Sequence, residues 1–131
     1  MSQENVEALR RQLEEFNRTG EVLPEIYDSD AEWMAAREDP DATTHRGMAA
    51  IRDYFAQWAE MFEAIEIRAE KVIDAGDKVF SWIQFAGKGA ASGASVEMEF
   101  AYVWRFRDGK VVRVEEYFDR AEALQAVGLS E

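Results

Sequence analysis

Two hydrophobic periods alternate along the chain, and the switches between them outline its elements. Val6, Leu9, Leu13 and Phe16 recur at helical spacing, and Thr19-Gly20 ends this first helix. Val22, Leu23 and Ile26 around Pro24 predict a short second helix or turn between Glu21 and Tyr27, and Ala31 to Ala36 reads as a brief strand carrying Trp33. Glu38 to Gly47, EDPDATTHRG, has the Asp, Pro, Thr and Gly content of a loop. Met48, Ile51, Phe55, Trp58 and Phe62 then form one apolar stripe flanked by Tyr54 and Met61, which predicts a helix from Met48 to Ala64. Alternation over Ile65 to Ile73 and over Lys78 to Gly87 predicts two strands joined by Ala75-Gly76-Asp77. The second of these carries apolar groups on both faces: Phe80 and Trp82 with Gln84 on one, and Val79, Ile83 and Phe85 on the other. A loose Gly/Ser/Ala connection spans Gly87 to Ser95, a hairpin follows from Val96 to Phe118, and Asp119 caps a short helix that Gly128 closes. Strands grouped late and interrupted by one long helix define an α+β domain, with helices packed on one face of a curved, mainly antiparallel sheet.

The hairpin holds the candidate chemistry. Asp108-Gly109 between β-rich runs is compatible with a two-residue type I′ turn, or with a three-residue loop Arg107-Asp108-Gly109 in which Gly109 is left-handed in a bulge. The two loops differ by one face. The two-residue loop mixes polar and apolar groups on both sides and would put Glu115 inward. The three-residue loop aligns Met98, Phe100, Tyr102, Trp104 and Phe106 with Val112, Val114, Glu116 and Phe118, an apolar face with a single acid in it. That continuity favours the second loop, and with it Glu116.

Composition narrows the function classes. The 131 residues fit one domain, residues 1–131, with no repeat and no linker. Cysteine is absent, which removes disulfides, thiolate catalysis and zinc–thiolate sites. A single histidine and scattered acids such as Glu38, Asp39 and Asp41 lack metal-ligand spacing, so neither a metal nor another cofactor is implied. Fifteen Lys plus Arg against 27 Asp plus Glu give a net charge of −12, which opposes binding to nucleic acid or to anionic membrane lipid. No apolar run approaches the roughly 20 residues of a membrane span, and the N-terminal segment is not a signal peptide, so a cytoplasmic location is expected.

Four segments resemble the nuclear transport factor 2-like superfamily, and within it the SnoaL-like group. These are the first helix ending FNRTGE, the strand start DAEW, the helix entry RGMAAIRDYF, and FAYVWRFRDGKVVRVEEYFDRAEALQAVG. The resemblance implies a conical α+β barrel with a deep apolar pocket between helices and sheet, often as a homodimer. It also implies a choice among known activities. The general-base aspartate of a ketosteroid isomerase falls at or beside Ala35, which cannot take a proton, and its oxyanion donors fall near Leu13 and at Tyr102. The catalytic aspartate of limonene epoxide hydrolase matches Glu116, but its Arg and Asp partners are missing from Phe80 to Phe85. The acid/base aspartate of polyketide cyclases also falls at Glu116, with Tyr102 as polar partner.

The candidate catalytic residues are therefore Glu116 as acid/base, Tyr102 as hydrogen-bond donor and His45 as helper, since an imidazole titrates near neutrality and its loop borders the pocket mouth. Trp33, Tyr54, Trp58, Trp82, Phe100 and Trp104 are candidate ligand-binding residues for a small apolar molecule. Each has a plainer reading. Glu116 can reach water at the barrel rim or pair with an arginine, His45 can be a surface residue, and the aromatic group can be ordinary core. Two functions follow: a cofactor-independent acid/base enzyme of cyclase, isomerase or hydrolase type, or a non-catalytic ligand-binding or dimeric scaffold domain. The outer face bearing Val103 is the expected dimer surface.

Overall fold

The computed structural model describes residues 2–36 and 43–129; the predicted acidic loop residues Glu38, Asp39 and Asp41 lie outside these. Helix α1 spans Ser2–Thr19, and a 3₁₀ turn at Pro24–Ile26 leads into strand β1, Tyr27–Met34. Strand β2, Thr44–Arg46, is followed by helix α2, Met48–Met61. Strands β3 (Phe62–Asp74), β4 (Lys78–Gly89), β5 (Ser95–Arg107) and β6 (Lys110–Tyr117) come next, and helix α3 (Arg120–Ala126) ends the fold. Several boundaries depart from expectation, among them that of β1, which runs from Tyr27 to Met34 where Ala31 to Ala36 was expected. The predicted loop around His45 is a three-residue strand, paired antiparallel to β1 through Trp33 and His45. Helix α2 stops at Met61, so Phe62 opens β3 while its ring still stacks on Trp58 at 5.6 Å.

The six strands form one curved sheet in the order β2-β1-β6-β5-β4-β3, antiparallel except where β1 runs parallel to β6. It is open, with β2 and β3 as its edges. Helices α1 and α2 cover the inner face. The stripe read from the sequence is the buried stripe: Leu9, Leu13 and Phe16 of α1 and Ile51, Tyr54 and Phe55 of α2 all join the inner core. Asn17 ties α1 to the edge strand by accepting from the Ile67 amide and donating to the Ile67 carbonyl, both at 2.7 Å. Gln12, buried in the same helix, donates to the Glu21 carbonyl and accepts from the Leu23 amide, which fixes the chain leaving α1.

The hairpin between β5 and β6 combines features of both predicted loops. Asp108 and Gly109 have φ of 52° and 78°, and Arg107 pairs with Lys110, so the turn itself has two residues and the type I′ conformation. The three-residue loop is thus corrected. Its face assignment nevertheless returns, because Phe106 pairs with Val111 and Arg105 with Arg113, leaving Val112 as an extra residue in a bulge. Beyond the bulge Trp104 faces Val114 and Tyr102 faces Glu116. Val111, fully buried, takes the inner place expected for Val112, which is only partly buried.

A second core lies on the outer face. Phe80, Trp82, Ala101 and Val103 are buried there beneath Ala123 and Leu124 of α3 and Val127 at its C-terminal cap. Val103, on the face expected to form a dimer surface, is fully covered within the single chain. Asp119 caps α3 by accepting from the Glu122 amide at 3.2 Å, as its sequence position implies.

Candidate functional site

Alternation along β6 sends Glu115 outward and Glu116 inward, beneath the helices. The Glu116 carboxylate is met by donors from two other elements. Trp33 of β1 donates its indole N–H to Oε2 at 2.5 Å, and the Tyr54 hydroxyl of α2 lies 3.0 Å from Oε1 and 2.9 Å from Oε2. Both donors are themselves held. The Trp33 ring, 1% exposed, packs edge-on against Phe55 at 4.9 Å, Tyr102 at 5.1 Å and Trp104 at 6.0 Å. The Tyr54 ring is stacked by His45 at 4.4 Å. A carboxylate whose geometry is set by packed aromatic rings keeps little rotamer freedom, which is what a proton-transfer group requires.

Glu116 borders a cavity of about 70 Å³ between the helices and the sheet. Phe16 of α1 and Tyr54, Phe55 and Trp58 of α2 form one wall; Ile67, Phe85, Phe100 and Tyr102 of β3 to β5 form the other, and Phe118 stands beside Glu116. The lining is hydrocarbon and aromatic apart from Glu116, two phenols and the Trp58 indole. Tyr102, directly across the sheet from Glu116, has its phenol pushed well above the ordinary value of 10.0, first by burial and then by the Glu116 charge, with Tyr54 and Tyr27 adding to it. It stays protonated and able to donate.

The predicted residues fall into three places. Glu116, Tyr102, Tyr54, Trp58 and Phe100 all line the cavity. His45 and Trp33 sit behind it, the first against Tyr54 and the second against Glu116. Trp104 and Trp82 lie elsewhere: Trp104 is in the inner core with its N–H donated to buried Ser81 at 3.0 Å, and Trp82 is on the outer face with the Arg120 guanidinium 5.3 Å from its ring centre. Sequence reasoning missed Phe16, Phe55, Ile67, Phe85 and Phe118 as lining. It also took Trp33 and Tyr54 for stacking surfaces, whereas their polar atoms grip the carboxylate. The available signal was the inner-face parity of β6, which brings Glu116 next to β1. Among the described residues no group of three or more His, Cys, Asp or Glu is placed to hold a metal ion, and no helix is long and apolar enough to cross a membrane.

Three helices on a curved, six-stranded, mostly antiparallel sheet define an α+β fold of the nuclear transport factor 2-like type. The SnoaL-like domain model matches residues 6–114, and the chain belongs to that family. The match ends before Glu116. Among solved structures, the chain is similar to a putative SnoaL-like polyketide cyclase from Jannaschia sp. CCS1, at 18% identity and a TM-score of 0.74 over 87% of this chain and 84% of that one. It is similar to TerC co-crystallised with polyporic acid, at 23% identity and a TM-score of 0.76 over 95% of this chain and 98% of that one. A third is a protein with a ketosteroid isomerase-like fold from Catenulispora acidiphila in complex with trimethylamine, at 20% identity and a TM-score of 0.65 over 82% and 80%. No curated protein sequence matches the chain. At these identities the structural likeness speaks for the fold.

Proposed function

We propose that the chain binds a small, largely apolar molecule in the aromatic cavity and moves a proton to or from it, with Glu116 as general acid/base. The observation that carries this reading is the double grip of Trp33 and Tyr54 on a carboxylate that borders an apolar cavity. Tyr102, kept neutral, donates to the oxygen on which charge develops. His45 acts behind Tyr54 as the helper, fixing the ring whose hydroxyl orients Glu116. Proton transfer alone needs no redox or group-transfer cofactor. The cavity volume of about 70 Å³ accommodates only a few ligand atoms, and Phe118, 41% exposed, lies at its side. Two structural neighbours were crystallised with small organic molecules, which supports the ligand-holding half of the reading.

The second reading is binding without turnover. It is favoured by Ala35 at the position of the isomerase base and by the lack of Arg or Asp in Phe80 to Phe85. Hydrogen–deuterium exchange α to the carbonyl of small cyclic ketones, followed by proton NMR, separates the two. The enzyme reading expects wild-type acceleration that Glu116→Gln lowers by about 10² or more, while tryptophan fluorescence shows ligand affinity retained. If Glu116→Gln binds and exchanges like wild type, catalysis by Glu116 is wrong and the binding-domain reading stands.

A further inference from the structure

We propose a second ligand site, for a small oxyanion, on the outer face of the sheet and centred on Arg113. The registers set Lys78 opposite Arg105, Arg105 opposite Arg113, Arg113 beside Glu32 and Glu32 opposite Arg46, so one row crosses β4, β5, β6, β1 and β2. Four of its five members are cations, in a chain of net charge −12. Like charges directly opposite each other on neighbouring strands repel, so the row costs stability unless anions complete it. The nearby acids are already engaged: Glu115 with the Arg105 Nε at 2.8 Å, and Glu32 with Arg46 at 3.1 Å.

Arg113 has no carboxylate among the described residues. Its Nε is buried without a hydrogen-bond partner, and its Nη2 meets the thioether of Met34, a weak acceptor. A partly buried guanidinium in that state carries an unrecovered desolvation cost. Arg105 commits only its Nε to Glu115, which leaves its terminal amino groups available next to Arg113. Two adjacent planar forks suit the oxygens of a dianion, a free phosphate or a phosphate monoester, better than a monocarboxylate. The acidity of the remaining surface disfavours an extended polyanion.

Inorganic phosphate is the probe, titrated calorimetrically at constant ionic strength, with thermal denaturation in parallel. Saturable one-site binding and a raised Tm are expected for wild type, with acetate at least about tenfold weaker. Arg113→Gln is expected to lose about tenfold or more in affinity, Arg113→Lys less, and Arg10→Gln on exposed α1 nothing. Far-UV circular dichroism checks the fold of each; if Arg113→Gln does not fold, Arg113→Lys and Arg105→Gln decide. Absence of saturable phosphate binding to wild type overturns the proposal, and so does equal binding by wild type and the Arg113 variants. Phosphate affinity that falls as protein concentration rises also overturns it, because the row would then be covered by a second copy. Ketone exchange does not enter this test.

Discussion

Glu115 and Glu116 are neighbours in the chain and face opposite ways through the same strand. Glu115 pairs with the Arg105 guanidinium and accepts from the Tyr117 hydroxyl at 3.2 Å, on the face where α3 covers the neighbouring Phe80, Trp82, Ala101 and Val103. Glu116 is gripped by an indole and a phenol beside an aromatic cavity. One peptide unit separates a carboxylate embedded in surface ion pairing from one that borders the cavity. The residue type is the same, so the difference comes from strand parity and from what each face is packed against.

Changes on either face break this comparison in different ways. Trp82→Ala, on the outer face, is expected to cost about 3–5 kcal/mol in urea denaturation, while the folded fraction keeps its full ketone exchange. Loss of exchange along with stability would show that the two faces are not independent. Glu116→Gln is expected to remove about 2.7 kcal/mol of transition-state stabilisation, a factor of 10², with little change in the denaturation midpoint.

Alkaline pH tests the inner face through its two buried phenols, while Tyr117 on the outer face is raised too, by burial and Glu115. Burial raises the Tyr27 phenol far above its ordinary 10.0, and burial with the Glu116 charge raises Tyr102. The native state therefore holds protons that the unfolded chain releases. Stability from these groups is complete below about pH 10 and is lost as pH rises above it, by about 1.4 kcal/mol per pH unit for each phenol. Denaturation at pH 9, 10 and 11 should show a shallower decline for Tyr27→Phe than for wild type. The Tyr27 hydroxyl is buried without a hydrogen-bond partner, so this variant is expected to be no less stable at pH 7.

Smaller effects complete the contrast. Asp119→Ala removes the α3 cap and is expected to cost about 1 kcal/mol by denaturation. Glu115→Gln breaks a pair whose arginine side chain is 36% exposed, for an expected cost of no more than about 1 kcal/mol and unchanged exchange. Equal losses of exchange in the Glu115 and Glu116 variants would dissolve the distinction between them.

Where the sequence was legible, one periodicity dominated. The stripes of α1 and α2 and the aromatic face of β5 repeat without interruption, and they are the inner core. Strand β2 was not legible, because three residues between Thr and Gly give too short an alternation to separate from a loop. The end of α2 was hidden since Phe62 continues the helical stripe while already extended. Trp82 could not be assigned a face from sequence, because β4 is apolar on both sides and only the position of α3 decides which side is outer. The hairpin gave the inward face of Glu116 through a loop that is not the one present; turn chemistry and hydrophobic alignment pointed to different registers, and the Val112 bulge satisfies both. Of the site, the acid was visible, whereas the N–H and O–H groups that hold it were not, because residues 33, 54 and 116 meet only after folding.

The bond pair between Asn17 and Ile67 has a consequence outside ligand chemistry. Strand β3 is a sheet edge, and an edge with free amides and carbonyls is a template on which another chain can add a strand. By occupying the amide and carbonyl of Ile67 at once, Asn17 plays the part of an adjacent strand one residue long. Together with the β3 register shifts and the left-handed Ala64, it denies a foreign strand a continuous ladder. At Ile67 this helix residue therefore takes the backbone positions that an added strand would need.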